Sequence, residues 1–306
     1  MKIVFLGTPE FAVPSLKMLH EHHEVLLVVT QPDRMVGRKR EIVKSPVKIY
    51  AECVGLPIFQ PEKIKLEDQR IIDLKPDFII TAAYGQMLSN HLLDQVKALN
   101  VHGSLLPKYR GGAPIQYALF DGLKETGVTI MYMAPKMDSG DIIEQEKLDI
   151  LPDDNYRTLM LRMSFVGANL LKKVLDDIEE GIIHRTPQHD DEVSYAYTIK
   201  REDEMIDFND SSMHIINRIR GLSPEPGAYA IINGQSIKFY QAKISDIMEH
   251  KEPGSVINID KKLLIQAKDG VIEILELQVP GKRKMDAKAF LNGQSIIRLG
   301  DQFKKG

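Results

Sequence analysis

Residues 2–30 read KIVFLGTPEFAVPSLKMLHEHHEVLLVVT, and this stretch decides the fold class. An apolar run over residues 2–6 stops at Gly7-Thr8-Pro9, which predicts a strand and a turn. Apolar side chains then follow at spacings that share one helix face: Phe11, Val13, Leu16 and Leu19. A second apolar run at residues 25–30 predicts another strand. Strand, helix and strand together predict a doubly wound, mostly parallel, Rossmann-like α/β sheet.

The rest of the chain continues this pattern and then changes. Short apolar runs at residues 56–59, 78–82 and 98–102 predict further buried strands. A long helical pattern ends near residue 180, and the polar composition of the next segment is typical of a linker. Beyond it, Asn233-Gly234 and Asp269-Gly270 each lie between β-rich runs and predict hairpins. We therefore predict a catalytic domain at residues 1–189, a linker at 190–204 and a small OB-like β-barrel at 205–306.

Composition excludes several classes of protein. The 306 residues are 43% hydrophobic and 27% charged, which is typical of a globular chain. No run approaches the ~18 apolar residues of a membrane span, so we expect no membrane association. The single cysteine, Cys53, excludes an intramolecular disulfide and predicts a cytoplasmic protein. Its helical context predicts a thiol buried in the core rather than a nucleophile. Nothing in the sequence requires more than a monomer.

Charge is unevenly distributed along the chain. The net charge is -3, yet residues 205–306 carry 15 Lys and Arg against 12 Asp and Glu. Residues 31–44 are long for a connection between a strand and a helix and are also basic. Their cations are Arg34, Arg38, Lys39, Arg40 and Lys44. This segment is suited to contact a phosphate backbone, and a simply solvated loop is the alternative.

The segment at residues 100–114, NVHGSLLPKYRGGAP, follows a predicted strand and carries the chemistry. Asn100 and His102 are two residues apart on a strand, so they project from one face at its carboxyl end. An Asn amide can donate to a developing oxyanion, and a neutral His can exchange a proton near pH 7. Asp138, in the turn at residues 136–141, adds a carboxylate. This set suits acyl transfer to a nucleophile that the substrate supplies, although a purely structural role remains open.

Two other chemistries fit the segment poorly. Ser104 is not in a G-x-S-x-G context, which disfavours it as a nucleophile. A metal site would need more ligands than His102 and Asp138, and the sequence has no H-E-x-x-H motif, so we expect no metal. The Gly7-Thr8-Pro9 turn lacks G-x-G-x-x-G, which disfavours dinucleotide binding.

The segment at residues 100–114 resembles the signature of the folate-dependent formyltransferases: Asn-x-His, Ser-Leu-Leu-Pro, a basic residue, an aromatic residue and Arg-Gly. Residues 127–131 and 138–142 resemble the segment with that family's third catalytic residue. The resemblance extends along the whole chain. It implies transfer of a formyl group from 10-formyltetrahydrofolate to the α-amine of methionine carried by initiator tRNA.

The resemblance also implies roles for particular residues. Asn100 would polarise the formyl oxygen, His102 would handle protons, and Asp138 would orient His102 and relay protons. The folate would lie along Ser104, Leu105, Leu106 and Pro107. The tRNA would contact the basic loop through Arg34, Arg38, Lys39, Arg40 and Lys44. The basic region at residues 205–306 would hold the rest of the acceptor arm.

Two departures from the family pattern concern the linker and the predicted domain junction. Residues 223–226 read Ser-Pro-Glu-Pro where many relatives have Asn-Pro-Trp-Pro, and Thr198 stands where Lys is common. Two alternative functions would use the same catalytic domain with a different formyl acceptor: an amino-sugar formyltransferase and a formyltetrahydrofolate hydrolase. A non-catalytic RNA-binding protein would use the basic regions only.

Overall fold

A computed structural model describes residues 1–36, 41–293 and 296–304. The chain divides into two compact units. The N-terminal unit comprises Met1–Pro114, Glu125–Asp149 and Met160–Tyr197, and the C-terminal unit comprises Ile115–Lys124, Ile150–Leu159 and Thr198–Gly306. The assignment of separate functions to residues 1–189 and 205–306 stays a prediction.

The first part of the chain contains nine strands and six α-helices among the residues described. The strands are β1 (Lys2–Gly7), β2 (Glu24–Val29), β3 (Arg34–Val36), β4 (Glu41–Val43), β5 (Ile58–Phe59), β6 (Phe78–Ala82), β7 (Ala98–His102), β8 (Glu125–Tyr132) and β9 (Ile142–Asp149). The α-helices are α1 (Val13–His22), α2 (Pro46–Cys53), α3 (Gln69–Ile72), α4 (Asn90–Gln95), α5 (Pro114–Phe120) and α6 (Tyr156–Glu179).

The N-terminal unit is built on a seven-stranded sheet with the order β5-β2-β1-β6-β7-β8-β9. Pairing is parallel from β5 to β7, whereas β8 and β9 are antiparallel. Strand β1 is buried along almost its whole length, as expected for a central strand covered on both faces. The predicted mixed α/β class with a mostly parallel sheet is therefore confirmed.

Local sequence signals explain where several helices begin and end. Ser45 caps α2 by accepting a hydrogen bond from the Lys48 backbone N–H at 3.1 Å, with Pro46 in the first turn. After α6, Gly181 adopts a φ of +81°, the left-handed conformation that ends many helices. The end of α6 matches the sequence prediction of a long helix that ends near residue 180.

The C-terminal unit contains α7 (Ser212–Gly221), β10 (Ala228–Ile232), β11 (Gln235–Ile244), β12 (Val256–Asn258), β13 (Leu263–Gln266), β14 (Val271–Gln278), β15 (Met285–Asp286) and α8 (Ala287–Leu291). Its sheet has the order β10-β11-β14-β13-β12, with β15 beside β14, and is antiparallel. Asn233 and Gly234 join β10 to β11 with φ values of +49° and +75°, which confirms the predicted hairpin. Apolar side chains from this sheet and α7, including Phe239 and Ile219, form one core.

Two sequence predictions need correction. Cys53 is exposed and is not a core thiol, because α2 buries Val47 and Ala51, and a residue two positions beyond Ala51 faces the opposite side of the helix. Residues 31–44 are not simply a loop, since β3 and β4 pair as an antiparallel hairpin with Arg34 opposite Val43.

Among the described residues, no helix has both the length and the apolar composition that spanning a bilayer requires.

Candidate active site

Strand β7 carries Asn100 and His102 to the carboxyl end of the parallel strands, between β6 and β8. Thr81 on β6 pairs with Asn100, and Thr129 on β8 pairs with His102. The Thr81 hydroxyl donates to Asn100 Oδ1 at 2.8 Å. An amide oxygen that accepts this bond leaves the Nδ2–H₂ donors directed to the other side. The local packing thus orients Asn100 as a hydrogen-bond donor.

A backbone carbonyl orients the buried imidazole of His102. His102 Nε2 lies 3.0 Å from the carbonyl oxygen of Tyr109. Because a carbonyl only accepts hydrogen bonds, Nε2 is the nitrogen that carries the proton in the neutral ring. Nδ1 then bears the lone pair, and it is the nitrogen that faces Asp138. The geometry makes Nδ1 the atom that gains and loses a proton.

Asp138 lies beside His102 in a constrained turn. Its Oδ2 is 3.7 Å from His102 Nδ1, longer than a hydrogen bond but within ion-pair range once the imidazole is protonated. The same oxygen accepts the Gly111 backbone N–H at 2.8 Å. The φ of Asp138 is +47°, a left-handed conformation that few non-glycine residues adopt. The surrounding contacts therefore hold the carboxylate in place at a conformational cost.

The predicted folate residues lie in the loop after β7. Ser104 and Leu106 are buried, whereas Leu105 and Pro107 are partly exposed. The Ser104 hydroxyl donates to the Lys108 carbonyl at 2.6 Å, and the Ser104 carbonyl accepts from the Thr129 hydroxyl at 2.6 Å. These bonds give Ser104 a structural role that does not suit a nucleophile. Leu105 and Pro107 are the two of the four whose side chains reach the surface.

The predicted tRNA residues fall on or near the hairpin. Arg34 is exposed on β3, and Lys44 is exposed just after β4. Lys44 Nζ lies 2.8 Å from Glu52 Oε2, and this hydrogen bond and charge raise the pKa of Lys44. Three further predicted residues, Arg38, Lys39 and Arg40, lie outside the described residues.

Polar contacts fix the base of the hairpin. Lys48 Nζ lies 2.5 Å from Asp33 Oδ2, and Gln60 donates to Asp33 Oδ1 at 2.9 Å. The hydrogen bonds from Lys48 and Gln60 lower the pKa of Asp33 below its ordinary value. Thr30 and Ser45 contact each other through their hydroxyls at 2.7 Å. The two chain segments that lead into and out of the hairpin are thus joined below it.

Sequence reasoning missed three residues that hold the site together: Thr81, Arg110 and Gln188. Thr81 carries a detectable signal, a hydroxyl in an otherwise apolar predicted strand at residues 78–82. Arg110 was noticed within the loop signature but given no function of its own. Gln188 lies in the polar segment whose composition is typical of a linker, and nothing in its neighbourhood marks it.

Across residues 1–36, 41–293 and 296–304, no three side chains among His, Cys, Asp and Glu come together in a way that could hold a metal ion.

The site and both units match one family. Residues 1–175 match the formyl transferase family, and residues 198–295 match the formyl transferase C-terminal domain. The chain belongs to the formyl transferase family. This confirms the resemblance that was noted in the loop after β7.

Several curated relatives match along nearly their full length. A methionyl-tRNA formyltransferase of Macrococcus caseolyticus is 43% identical over 309 residues, covering 99% of each chain. A methionyl-tRNA formyltransferase of Listeria monocytogenes is 47% identical over 297 residues, covering 95% of each.

Solved structures share the fold at lower identity. An N-formyltransferase of Helicobacter canadensis, solved with folinic acid and dTDP-3-aminofucose, is 22% identical with a TM-score of 0.69, and the match covers 90% of this chain and 98% of that one. HypX of Aquifex aeolicus in complex with tetrahydrofolic acid is 19% identical with a TM-score of 0.64, and the match covers 95% of this chain and 47% of HypX. At these identities the likeness concerns the fold.

Proposed function

We propose that this chain transfers the formyl group of 10-formyltetrahydrofolate to the α-amino group of methionine carried by initiator tRNA. The observation that supports this most is identity of 43–47% to methionyl-tRNA formyltransferases over 95–99% of the chain, because the match includes both units. The arrangement of Asn100, His102 and Asp138 supports the same reaction, since it offers a donor, a base and a carboxylate together.

The proposed reaction is an acyl transfer between two nitrogens. The neutral methionine amine attacks the formyl carbon, forming the C–N bond as the carbonyl electrons move to oxygen. Asn100 Nδ2 donates a hydrogen bond to that oxygen, where negative charge develops. His102 takes the amine proton on Nδ1, because its Nε2 donates to the Tyr109 carbonyl. When the carbonyl re-forms, the bond to the folate nitrogen breaks, and that nitrogen receives the proton from His102.

In this scheme Asp138 acts on the protonated form of His102. An imidazolium places an N–H at Nδ1, which faces Asp138 Oδ2 at 3.7 Å. Attraction between unlike charges at that distance, in a mostly buried position, stabilises the cation that forms during the reaction. The proposed role of Asp138 is therefore electrostatic, while the Tyr109 carbonyl orients the ring.

Substrate contacts are assigned from the family signature and the charge pattern. We assign the folate to the loop at residues 104–107, where Leu105 and Pro107 provide surface. We assign the tRNA acceptor end to Arg34 and Lys44, and to Arg38, Lys39 and Arg40 outside the described residues, with the exposure of Arg34 and Lys44 in support. We further propose an OB-like character for the C-terminal antiparallel sheet, and a monomeric enzyme that works in the cytoplasm.

The decisive assay compares formyl acceptors. Purified protein is incubated with 10-formyltetrahydrofolate and one of three acceptors: methionyl initiator tRNA, an amino-sugar nucleotide, or water alone. We expect formylmethionyl-tRNA as the main product. Release of formate at the same rate with and without tRNA would favour a hydrolase, and formylation of the sugar in preference to tRNA would favour a sugar formyltransferase. Equal activity of the His102→Ala variant would disprove the catalytic assignment.

A further inference from the structure

The side chain of Gln188 connects the loop after β7 to the turn that contains Asp138. Its Nε2 donates to the carbonyl oxygens of Asp138 and Gly140 at 2.8 Å and 2.7 Å. Its Oε1 accepts two hydrogen bonds from Arg110, from Nε at 3.0 Å and Nη2 at 2.7 Å. An amide offers two N–H donors and two lone pairs, so all four positions are used.

Burial and backbone hydrogen bonds fix Arg110, the residue that Gln188 connects to the Asp138 turn. The Arg110 side chain is 1% exposed. Its backbone N–H donates to the Ser194 carbonyl at 2.9 Å, and its carbonyl accepts from the Ala196 N–H at 2.8 Å. A guanidinium held in this way is a rigid donor, because its fork geometry sets the plane of the acceptor. Arg110 therefore holds Gln188 in a fixed position, and Gln188 in turn holds the Asp138 turn.

The turn itself needs such support. Asp138 has a φ of +47°, which is unfavourable for an L-residue and persists only where the surroundings enforce it. Gly140 approaches the Tyr132 carbonyl so closely that an added Cβ would lie 1.8 Å from that oxygen. Gln188 contacts the backbone on both sides of Ser139 and so holds the turn at two points.

We propose that Gln188 is a positioning residue that sets the distance between the Asp138 carboxylate and His102, an inference that rests on the proposed function. The carboxylate lies 3.7 Å from Nδ1, where attraction to the imidazolium varies strongly with distance. Loss of the two amide donors leaves the Asp138 and Gly140 carbonyls without these bonds and lets the turn relax. The rate of formyl transfer then falls while substrate binding is retained.

Glutamine is the side chain that can both accept hydrogen bonds from Arg110 and donate to the two carbonyls of the turn. Glutamate would keep the acceptor for Arg110 but would direct a carboxylate oxygen at two carbonyl oxygens. Asparagine is one methylene shorter and cannot reach Arg110 and the turn together in the same geometry. Alanine removes every contact.

A double-mutant cycle tests whether Gln188 acts through Asp138. Single-turnover formylation with enzyme in excess is measured for wild type, Gln188→Ala, Asp138→Ala and the double variant. We expect Gln188→Ala to slow the chemical step by about 10-fold or more, since the two hydrogen bonds to the Asp138 turn are lost, with little change in either substrate affinity. In the Asp138→Ala background the same change should cost less than about twofold, because no carboxylate remains to be positioned.

An equal cost in both backgrounds would show that Gln188 acts by another route and would overturn the proposal. The Gln188→Glu variant covers the case in which Gln188→Ala folds poorly, because it keeps an acceptor for Arg110. We expect a similar loss of rate in the folded variant, because a carboxylate cannot donate to the Asp138 and Gly140 carbonyls, and wild-type rate in this variant would also overturn the proposal.

Gln266 in the C-terminal unit provides a matched control. Its Nε2 likewise donates to two carbonyls of a turn, Ala267 at 2.9 Å and Gly270 at 3.1 Å. Gln266→Ala should lower the melting temperature and leave the single-turnover rate at saturating tRNA unchanged. Failure of the wild-type enzyme to formylate methionyl-tRNA would refute the proposed function, whereas the cycle alone decides the role of Gln188.

Discussion

The two units each contain an aspartate turn that a glutamine amide holds by two backbone carbonyls. In the N-terminal unit Gln188 holds the turn of Asp138, and in the C-terminal unit Gln266 holds the turn of Asp269. In both turns the carboxylate accepts a backbone N–H, at 2.8 Å for Asp138 and 2.7 Å for Asp269. The two turns are thus stabilised by similar interactions.

They differ in what else the carboxylate faces. Asp269 Oδ1 takes both the backbone N–H and the hydroxyl of Ser212, and so ties its hairpin to the first turn of α7. Asp138 Oδ2 takes one N–H and also faces a histidine nitrogen, from a backbone with positive φ. A carboxylate in a turn becomes a candidate for chemistry when a proton carrier lies beside it.

The source of the support differs as well. Gln266 is three residues from Asp269 and belongs to the same hairpin, whereas Gln188 comes from 50 residues further along the chain than Asp138. Arg110 in turn anchors Gln188. A structural turn can be stabilised locally, while the turn at the candidate site is positioned by two distant segments.

Removing the carboxylates of Asp138 and Asp269, one at a time, should distinguish the proposed catalytic turn from the structural turn most strongly. Asp138→Ala should lower kcat by about 10²- to 10³-fold, the range for loss of one electrostatic stabiliser, with a small change in melting temperature. Asp269→Ala should lower the melting temperature and leave kcat within about twofold. Formylation rates and thermal unfolding of both variants check this. A loss of kcat in Asp269→Ala as large as in Asp138→Ala would remove the distinction.

Substitution of Gly140 and of Gly270, the glycines of the two turns, should differ nearly as much in its effect on stability. A Cβ at Gly140 would lie 1.8 Å from a backbone oxygen of Tyr132, which cannot move aside without disturbing β8. A Cβ at Gly270 would lie 3.1 Å from the Ser212 hydroxyl, which can shift by a few tenths of an ångström.

Gly140→Ala should therefore destabilise the N-terminal unit by about 3 kcal/mol and reduce activity, whereas Gly270→Ala should cost less than about 1 kcal/mol. Urea unfolding of both variants gives the free energies. Equal losses would mean that the backbone at Gly140 relaxes more than its contacts indicate.

The sequence predicted the parts of this comparison that depend on neighbouring residues. The apolar runs predicted the strands, and Asn233-Gly234 predicted its hairpin, because residues within a few positions determine these structures. Asn100 and His102 could be placed on one face from the period of a strand. Asp138 was included as a carboxylate in a polar turn, and the family resemblance implied its role.

Contacts between distant segments could not be predicted in this way. Gln188 reaches Asp138 only because the folded chain returns to the sheet edge, and the polar residues around it were typical of a linker. The exposure of Cys53 was missed because its helix is short and two apolar positions suffice for its buried face. The β3–β4 hairpin was missed because its strands have three residues each.

The other half of the candidate site has its own positioning contact. Thr81 donates to Asn100 Oδ1 at 2.8 Å, so the amide presents its N–H₂ group, an arrangement with no counterpart in the Asp269 turn. Thr81→Val keeps the shape and removes this bond. We expect kcat to fall by about 2- to 10-fold, the worth of one neutral hydrogen bond, with unchanged substrate affinity. Thr81→Ser, which retains a hydroxyl, should restore most of the rate, and equal rates in all three proteins would exclude an orienting role.

The smallest expected effect concerns acid stability of the C-terminal turn. Hydrogen bonds from the Ser212 backbone and hydroxyl lower the pKa of Asp269 below its ordinary value near 3.8. As the pH falls below about 4, the unfolded chain therefore binds a proton before the folded chain does, and the stabilisation is lost as the pH passes through the folded-state pKa.

Asp269→Asn keeps an oxygen acceptor without the charge, so its stability should vary less between pH 5 and pH 3. Urea unfolding across that range tests the difference, and Ser212→Ala should reduce it, because one of the two stabilising bonds is gone. Identical pH profiles for wild type and Asp269→Asn would show that these bonds do not favour the ionised carboxylate.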